Sequence, residues 1–205
     1  MLEQTLRQTC RQLLESGTVK VVIGYGASAP GRPARPVFIT SAASVDELAW
    51  NNQCEANLTV YLKRPEVREL GKPAIIVKAC DERALVVLQQ EQQVDRAGLY
   101  VIGVACDGIG SPLESKCASC DTRVPRFCDV VLGEASKPAG EPGKRWAELE
   151  AFLAKPPAER MAYWQKELAR CAKCYACRQI CPLCYCERCI TDKNRPTCIS
   201  TSPSL

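Results

Sequence analysis

The sequence predicts an α/β fold, a small and partly parallel sheet with flanking helices, followed by a cysteine-rich C-terminal segment. Two apolar runs, residues 74–77 and 99–104, enclose a helical stretch at 82–92. This is a βαβ pattern, so the two strands should be parallel neighbours. In addition, eight of the 15 cysteines lie in the last 35 residues, a density that core packing alone does not explain. The chain therefore combines a sheet with a separate cysteine-based unit.

The elements before the βαβ unit follow from apolar periodicity and turn residues. Leucines on one helical face predict a first helix that ends at Gly17. Residues 19–23 and 36–39 are short apolar runs typical of strands. A capping box at 44–47 predicts the start of a short helix, and Cys54 is predicted to begin the next one. A helix N-terminus would favour the Cys54 thiolate.

Beyond the βαβ unit, composition suggests a division of the chain. Residues 129–132 read as a further strand, and the proline- and glycine-rich stretch 134–143 reads as a linker. Helices are predicted at 146–153 and 158–170, the second leading directly to Cys171. We expect an α/β cysteine-containing domain at 1–133, a linker with a short helix at 134–157, and a cysteine-rich segment at 158–205.

Composition excludes several classes of protein. The 205 residues contain no histidine, which rules out a Rieske centre, a His-ligated zinc site and a histidine general base. No apolar stretch approaches the roughly 20 residues of a membrane-spanning helix, and the first residues lack a signal-peptide core. We expect a soluble cytoplasmic protein. In that reducing compartment, dense cysteine favours metal binding over disulfides.

The C-terminal cysteines have the spacing C-x2-C-x2-C-x3-C-P, which holds iron–sulfur clusters in bacterial ferredoxins. Eight thiolates match the demand of two 4Fe-4S clusters, and one cluster with spare thiols is the alternative. Tetrahedral zinc is a further alternative, because C-x2-C pairs also suit that ion. The eight predicted ligands are Cys171, Cys174, Cys177, Cys181, Cys184, Cys186, Cys189 and Cys198.

A second set of candidate ligands lies in the α/β domain. Cys80 and Cys106 each follow one of the two predicted parallel strands, so they should meet at the same edge of the sheet. Cys117 and Cys120 form a C-x2-C pair further along, and Cys54 completes the set. The alternative is that these are small buried apolar residues. We interpret the two remaining cysteines, Cys10 and Cys128, as structural.

The charge distribution fits an anionic cofactor. Between residues 155 and 198 the chain carries nine basic and four acidic residues. A basic segment can bind nucleic acid. No aromatic stacking platform accompanies the charge, however, so we expect no nucleic-acid partner. Cations near a thiolate-bound cluster would stabilise its negative charge.

Three stretches resemble a known family: residues 78–85, residues 102–108, and residues 117–133 with the C-x2-C-D pair. They are similar to the coenzyme F-420 (deazaflavin) hydrogenase/dehydrogenase beta-subunit family. The resemblance implies that the central cysteines ligate a 4Fe-4S cluster and that full-length members carry a flavin. The resemblance thus raises FAD as a further cofactor, but no flavin-phosphate loop in this chain supports it.

The C-terminal segment resembles ferredoxin-like parts of subunits from hydrogenase, formate dehydrogenase or heterodisulfide-reductase-type complexes. We therefore expect an iron–sulfur electron-transfer subunit of a multi-subunit anaerobic oxidoreductase, with two or three 4Fe-4S clusters and no acid–base catalytic residue. Its expected partners are the other subunits of such a complex. One alternative is a flavin-containing reductase of a soluble carrier such as deazaflavin or ferredoxin. Another is a zinc-stabilised interaction module.

Overall fold

A computed structural model describes residues 1–29, 31–136, 146–172 and 174–186. Five strands form one sheet, and seven α-helices accompany them in these ranges. The strands are β1 (Val21–Gly26), β2 (Arg35–Ile39), β3 (Pro73–Val77), β4 (Tyr100–Val104) and β5 (Val130–Leu132). The helices are α1 (Leu2–Glu15), α2 (Pro65–Arg68), α3 (Ala79–Gln90), α4 (Ser115–Ala118), α5 (Ala147–Leu153), α6 (Pro157–Ala169) and α7 (Ala176–Ile180).

The sheet has the strand order β2-β1-β3-β4-β5 and is mostly parallel. Strands β1, β3, β4 and β5 run parallel to their neighbours, and only the edge strand β2 is antiparallel. Ile75 faces Val101 in the register of β3 and β4, which confirms the predicted βαβ unit. The mixed α/β fold class predicted from the sequence is therefore confirmed.

The core explains why these runs become strands rather than helices. Every residue of β1 is buried, as are the last four residues of both β3 and β4. Continuous apolar runs of this length are typical of strands covered on both faces. Leu6 and Cys10 of α1 and Leu88 of α3 are fully buried in the same core. Each such leucine, isoleucine or valine contributes about 1.5–3 kcal/mol on burial.

Two predicted helix starts are wrong. Residues 44–47 end a 3₁₀ helix, Ala42–Glu47, whose N-cap is Ser41 rather than Ser44. The cause is tertiary, because Leu48 is fully buried in extended conformation and its carbonyl accepts two hydrogen bonds from the Arg7 side chain. Cys54 does not begin a helix either, since the next helical turn is Leu58–Tyr61, capped by Asn57.

Other boundaries shift in a way that affects the site. Helix α3 begins at Ala79, three residues before the predicted start, so Cys80 lies in its first turn rather than in a loop. The side chain of Asp81 accepts a hydrogen bond from the Lys78 backbone at 3.0 Å, which caps this end of the helix. Within the described ranges, no helix combines the length and apolar character needed to cross a membrane.

Candidate metal centre

Four cysteines line one cavity at the carboxyl end of the parallel strands. Cys80 follows β3, Cys106 follows β4, and Cys117 and Cys120 come from the segment around α4. The cavity has a volume of about 170 Å³. A water molecule takes a share of about 30 Å³ in the liquid, so this space holds a group of several heavy atoms. Its position is the usual place for ligands in parallel sheets.

Hydrogen bonds hold the loop cysteines in place. The backbone N–H of Cys106 donates to the carbonyl of Arg123 at 3.0 Å, and its sulfur accepts from the Gly108 N–H at 3.4 Å. The N–H of Cys120 donates to the Cys117 carbonyl at 3.3 Å, which folds the C-x2-C pair into one turn. The Cys120 thiol donates to the carbonyl of Thr122 at 3.1 Å. These bonds bring the C-x2-C pair and the β4 loop to the same wall.

The surroundings of two of these thiols, Cys80 and Cys106, favour the protonated form. Burial is the main cause that raises the pKa of Cys80 to about 12, although part of this residue is open to solvent. Burial also raises the pKa of Cys106. The positive charge of Lys78 acts in the opposite direction on both thiols. A metal that binds here must therefore displace protons, so its binding will depend on pH.

Four cations line the same cavity: Lys78, Arg83, Lys116 and Arg123. Within the described part of the chain, no aspartate or glutamate lines it. Four thiols among cations suit a group that binds thiolates and carries net negative charge, such as an iron–sulfur cluster. No three of the described Cys, Asp and Glu side chains are grouped as a site for a single metal ion.

Lys78 and Asp81 form a buried ion pair beside the cavity. Their side chains are each 3% exposed, and Lys78 Nζ lies 2.8 Å from Asp81 Oδ2. The ammonium also donates to the Tyr25 hydroxyl and, at 3.1 Å, to the Ala56 carbonyl. Tyr25 in turn donates to the Ala56 carbonyl at 2.5 Å. The network fixes the entry to α3 and hence the position of Cys80.

Two further residues of α3 hold the loops that form the opposite wall. Arg83 donates to Asp121 and to the Thr122 hydroxyl, both at 2.7 Å. Glu82, which is 5% exposed, accepts hydrogen bonds from the backbone of Arg126 at 2.7 Å and of Phe127 at 2.5 Å. Helix α3 therefore supplies Cys80 to the cavity and also holds the loops that face it.

The other cysteines of the α/β domain lie away from the cavity lining. Cys54 is fully buried, and its sulfur accepts from the Asn51 N–H at 3.4 Å. Burial raises the pKa of Cys54, contrary to the predicted stabilisation of its thiolate by a helix terminus. Cys10 is packed in the core, and Cys128 donates to the Glu82 carboxylate at 3.3 Å. The contacts of Cys10 and Cys128 agree with the structural roles expected for them.

The C-terminal cysteines that the structure describes follow one another around short turns. Cys177 lies in α7, the Cys181 N–H donates to its carbonyl at 3.3 Å, and the Cys184 N–H donates to the Cys181 carbonyl at 3.1 Å. Cys171 lies just beyond α6, while Cys174 and Cys186 are exposed. Cys189 and Cys198 lie outside the described residues.

Lys63 connects this cysteine segment to the α/β domain. Its ammonium donates to the Pro182 carbonyl at 3.0 Å and lies 5.5 Å from the centre of the Tyr185 ring. Burial lowers the pKa of Lys63, while the nearby thiols of Cys181, Cys184 and Cys186 act in the opposite direction. The Glu91 carboxylate, as a hydrogen-bond acceptor, raises the pKa of the Tyr185 phenol. The contact places three tail cysteines beside a positive charge.

Sequence reasoning missed the charged residues of the site. Lys78 carried a signal, since a lysine directly after four buried apolar residues and two before a candidate ligand needs a partner. Arg123 and Glu82 carried none, because their burial depends on how loops that are distant in sequence fold back onto α3.

Comparison with known proteins shows which curated proteins the chain is similar to. No family model matches it. It is 21% identical over 277 aligned positions to the F420-dependent formate dehydrogenase 1 subunit beta of Methanococcus maripaludis, covering 87% of this chain and 71% of that protein. It is 22% identical over 257 positions to the F420-dependent formate dehydrogenase subunit beta of Methanocaldococcus jannaschii, covering 78% and 66%.

A search of solved structures finds a chain of the F420-reducing [NiFe] hydrogenase complex from Methanosarcina barkeri, with a TM-score of 0.44 and 16% identity. That match covers 51% of this chain and 38% of the other. The chain spans only about two thirds of the length of its curated relatives. The curated relatives agree with the resemblance seen in the motifs around Cys80, Cys106 and Cys117, since this chain is similar to beta subunits of F420-dependent formate dehydrogenases.

Proposed function

We propose that this chain is an iron–sulfur electron-transfer subunit of a multi-subunit oxidoreductase. The observation that carries the proposal is the single cavity that Cys80, Cys106, Cys117 and Cys120 line together with four cations. Four cysteines are the ligand set of a 4Fe-4S cluster. These four thiols would hold one such cluster, with Cys54 as a buried neighbour outside the set.

The chemistry of the site would be the transfer of single electrons, which an iron–sulfur cluster supplies when bound. The chain's own residues bind, orient and shield that group. Arg83 and Glu82 fix the loops around it, and the buried Lys78–Asp81 pair fixes the helix that carries Cys80. No residue has to act as an acid or base.

The C-terminal cysteines would hold one or two further clusters. Their C-x2-C-x2-C-x3-C-P spacing supports this, as do the short turns that connect Cys177, Cys181 and Cys184. With the cavity site, the chain would carry two or three 4Fe-4S clusters. Lys63 holds part of this segment against the α/β domain. Electrons could therefore pass between the two sites within one chain.

The partners proposed are the other subunits of an oxidoreductase complex. The curated relatives are named as beta subunits of F420-dependent formate dehydrogenases. By analogy, a catalytic subunit would exchange electrons with this chain. We propose formate dehydrogenase, hydrogenase or heterodisulfide-reductase-type assemblies as the class.

The first experiment measures iron and acid-labile sulfide in anaerobically purified chain, with an electron paramagnetic resonance (EPR) spectrum after dithionite reduction. Two or three clusters correspond to roughly eight to twelve irons per chain. Cys120→Ser should lose about four irons, and Cys174→Ala should lose a separate cluster signal. Zinc without sulfide would contradict the proposal in favour of an interaction module.

Cys54→Ser is the matched control for the cavity site. Its sulfur lies near Cys106 but bonds to the backbone of Asn51 rather than facing the cavity. This variant should keep the full iron content. A loss equal to that of Cys120→Ser would show that the ligand set has been wrongly assigned.

One observation favours a second candidate, a flavin-containing reductase of a soluble carrier. Both curated relatives are named for their dependence on F420, a deazaflavin carrier. The distinguishing measurement is an absorption spectrum after iron has been removed with a chelator. A yellow chromophore that remains would support the reductase, and a colourless protein would support the relay.

A further inference from the structure

Arg123 is buried in the wall of the cavity without a counterion. The residue is 9% exposed, and it forms no ion pair with any carboxylate of the described ranges. Its only side-chain hydrogen bond that the structure records is from Nη2 to the Cys117 carbonyl at 3.3 Å. Its Nε–H is buried and has no acceptor among the described residues. A buried cation in this state is costly unless an anion lies beside it.

The other cations of the cavity are placed differently. Lys78 is neutralised by Asp81 at 2.8 Å, and Arg83 by Asp121 at 2.7 Å. Lys116 is exposed to solvent, which screens its charge. Arg123 is therefore the cation of the cavity wall that is both buried and without a carboxylate partner among the residues described.

Arg123 also joins two of the four cavity cysteines. Its carbonyl accepts from the Cys106 N–H at 3.0 Å, and its guanidinium donates to the Cys117 carbonyl. Cysteine thiolates and a bound cluster would therefore supply the negative charge that is missing beside Arg123.

We propose that Arg123 is a positioning residue that neutralises the iron–sulfur cluster held at Cys106 and Cys117 and raises its reduction potential. The inference rests on the proposed function. Reduction adds one electron, taken from a low-potential one-electron donor, and neither breaks a bond nor needs a proton. A fixed positive charge stabilises the more negative reduced cluster over the oxidised one. Its effect is large because the guanidinium is shielded from water.

The test is a redox titration of the anaerobically purified chain, following the cavity cluster by EPR. Arg123→Met should shift the midpoint to more negative potential. We expect a tenfold or greater loss in the reduction equilibrium, which for one electron is about 59 mV per factor of ten. Arg126→Met is the matched control. Arg126 is exposed on the same loop, and its recorded contact with Glu82 is made by its backbone. The reduction potential of the cavity cluster in Arg126→Met should equal that in the unmodified chain.

The outcomes distinguish a structural role of Arg123 from an electrostatic one. If Arg123 only held the loop, Arg123→Met would lower the melting temperature and leave the potential unchanged, which would overturn the proposal. If that variant does not retain the cluster, Arg123→Gln, which removes the charge but keeps hydrogen-bonding groups, replaces it, and an unchanged potential there would also overturn the proposal. An equal shift in Arg126→Met would do the same. Unmodified chain without iron or sulfide would instead refute the proposed function itself.

Discussion

Lys78 Nζ and Asp81 Oδ2 lie 2.8 Å apart in an ion pair in which both side chains are closed to solvent. The pair forms at the junction of β3 and α3. Lys78 lies two residues before Cys80 in the sequence, and Asp81 follows Cys80 directly. Because Asp81 also accepts the Lys78 N–H at 3.0 Å, the same carboxylate caps the helix and neutralises the lysine. The pair connects the stability of the fold to the geometry of the cavity.

Lys78→Met should strongly destabilise the chain, because Asp81 would remain buried without its cation. Removing one partner of a buried pair typically costs about 3–5 kcal/mol. The double variant Lys78→Met with Asp81→Asn should lose less, since the amide keeps the cap without a buried charge. Urea unfolding of the single and double variants measures the difference. A double variant less stable than the single would contradict this account.

Glu82→Ala should loosen the loop that follows the C-x2-C pair. The carboxylate accepts two backbone hydrogen bonds, from Arg126 and Phe127, and one from the Cys128 thiol. Hydrogen bonds to charged groups contribute about 1.5–3 kcal/mol each. We expect the free energy of unfolding to fall by at least about 2 kcal/mol, with a smaller loss for Glu82→Gln. The rate of hydrogen exchange at residues 126–128 should rise in Glu82→Ala. Unchanged protection there would show that Glu82 does not hold this loop.

The pH dependence of stability should be set in part by Cys10. Burial raises its pKa from 9.0 to about 12. The folded thiol stays neutral while the unfolded thiol ionises, so its contribution is complete below pH 9 and is lost as the pH rises towards 12. The slope is up to about 1.4 kcal/mol per pH unit.

Cys10→Ala should make this alkaline slope shallower, because the alanine has no proton to lose. Melting temperatures of the two proteins, measured from below pH 9 upwards, give the comparison. The difference between the slopes isolates Cys10 from the other buried thiols. Parallel slopes would show that Cys10 is not the group responsible.

Lys63→Met should release the C-terminal cysteine segment from the α/β domain. The lysine donates to the Pro182 carbonyl at 3.0 Å. A partly exposed charged contact is worth at most about 1 kcal/mol, so hydrogen exchange at residues 181–186 should rise by up to about fivefold. Lys72→Met, an exposed lysine without a recorded tail contact, is the control. Equal exchange in both variants would mean that Lys63 does not hold the segment.

The sequence by itself determined the sheet and its central pairing. Strands β3 and β4 are apolar runs separated by a helix of ordinary length, so their parallel pairing needed no further information. The same reasoning placed Cys80 and Cys106 at one sheet edge, since residues that follow parallel neighbours must emerge on the same side. The cysteine spacing of the tail is likewise a property of the sequence alone.

The tertiary structure decided what depends on distant contacts. The capping box at 44–47 has the right residues, but Arg7 and the core fix Leu48 in extended form, and the helix ends there. Arg123 and Glu82 become buried site residues only because the loop after α4 folds back onto α3. Local patterns encode local structure, whereas the partners of a buried charge lie elsewhere in the chain, and only the folded chain brings them together.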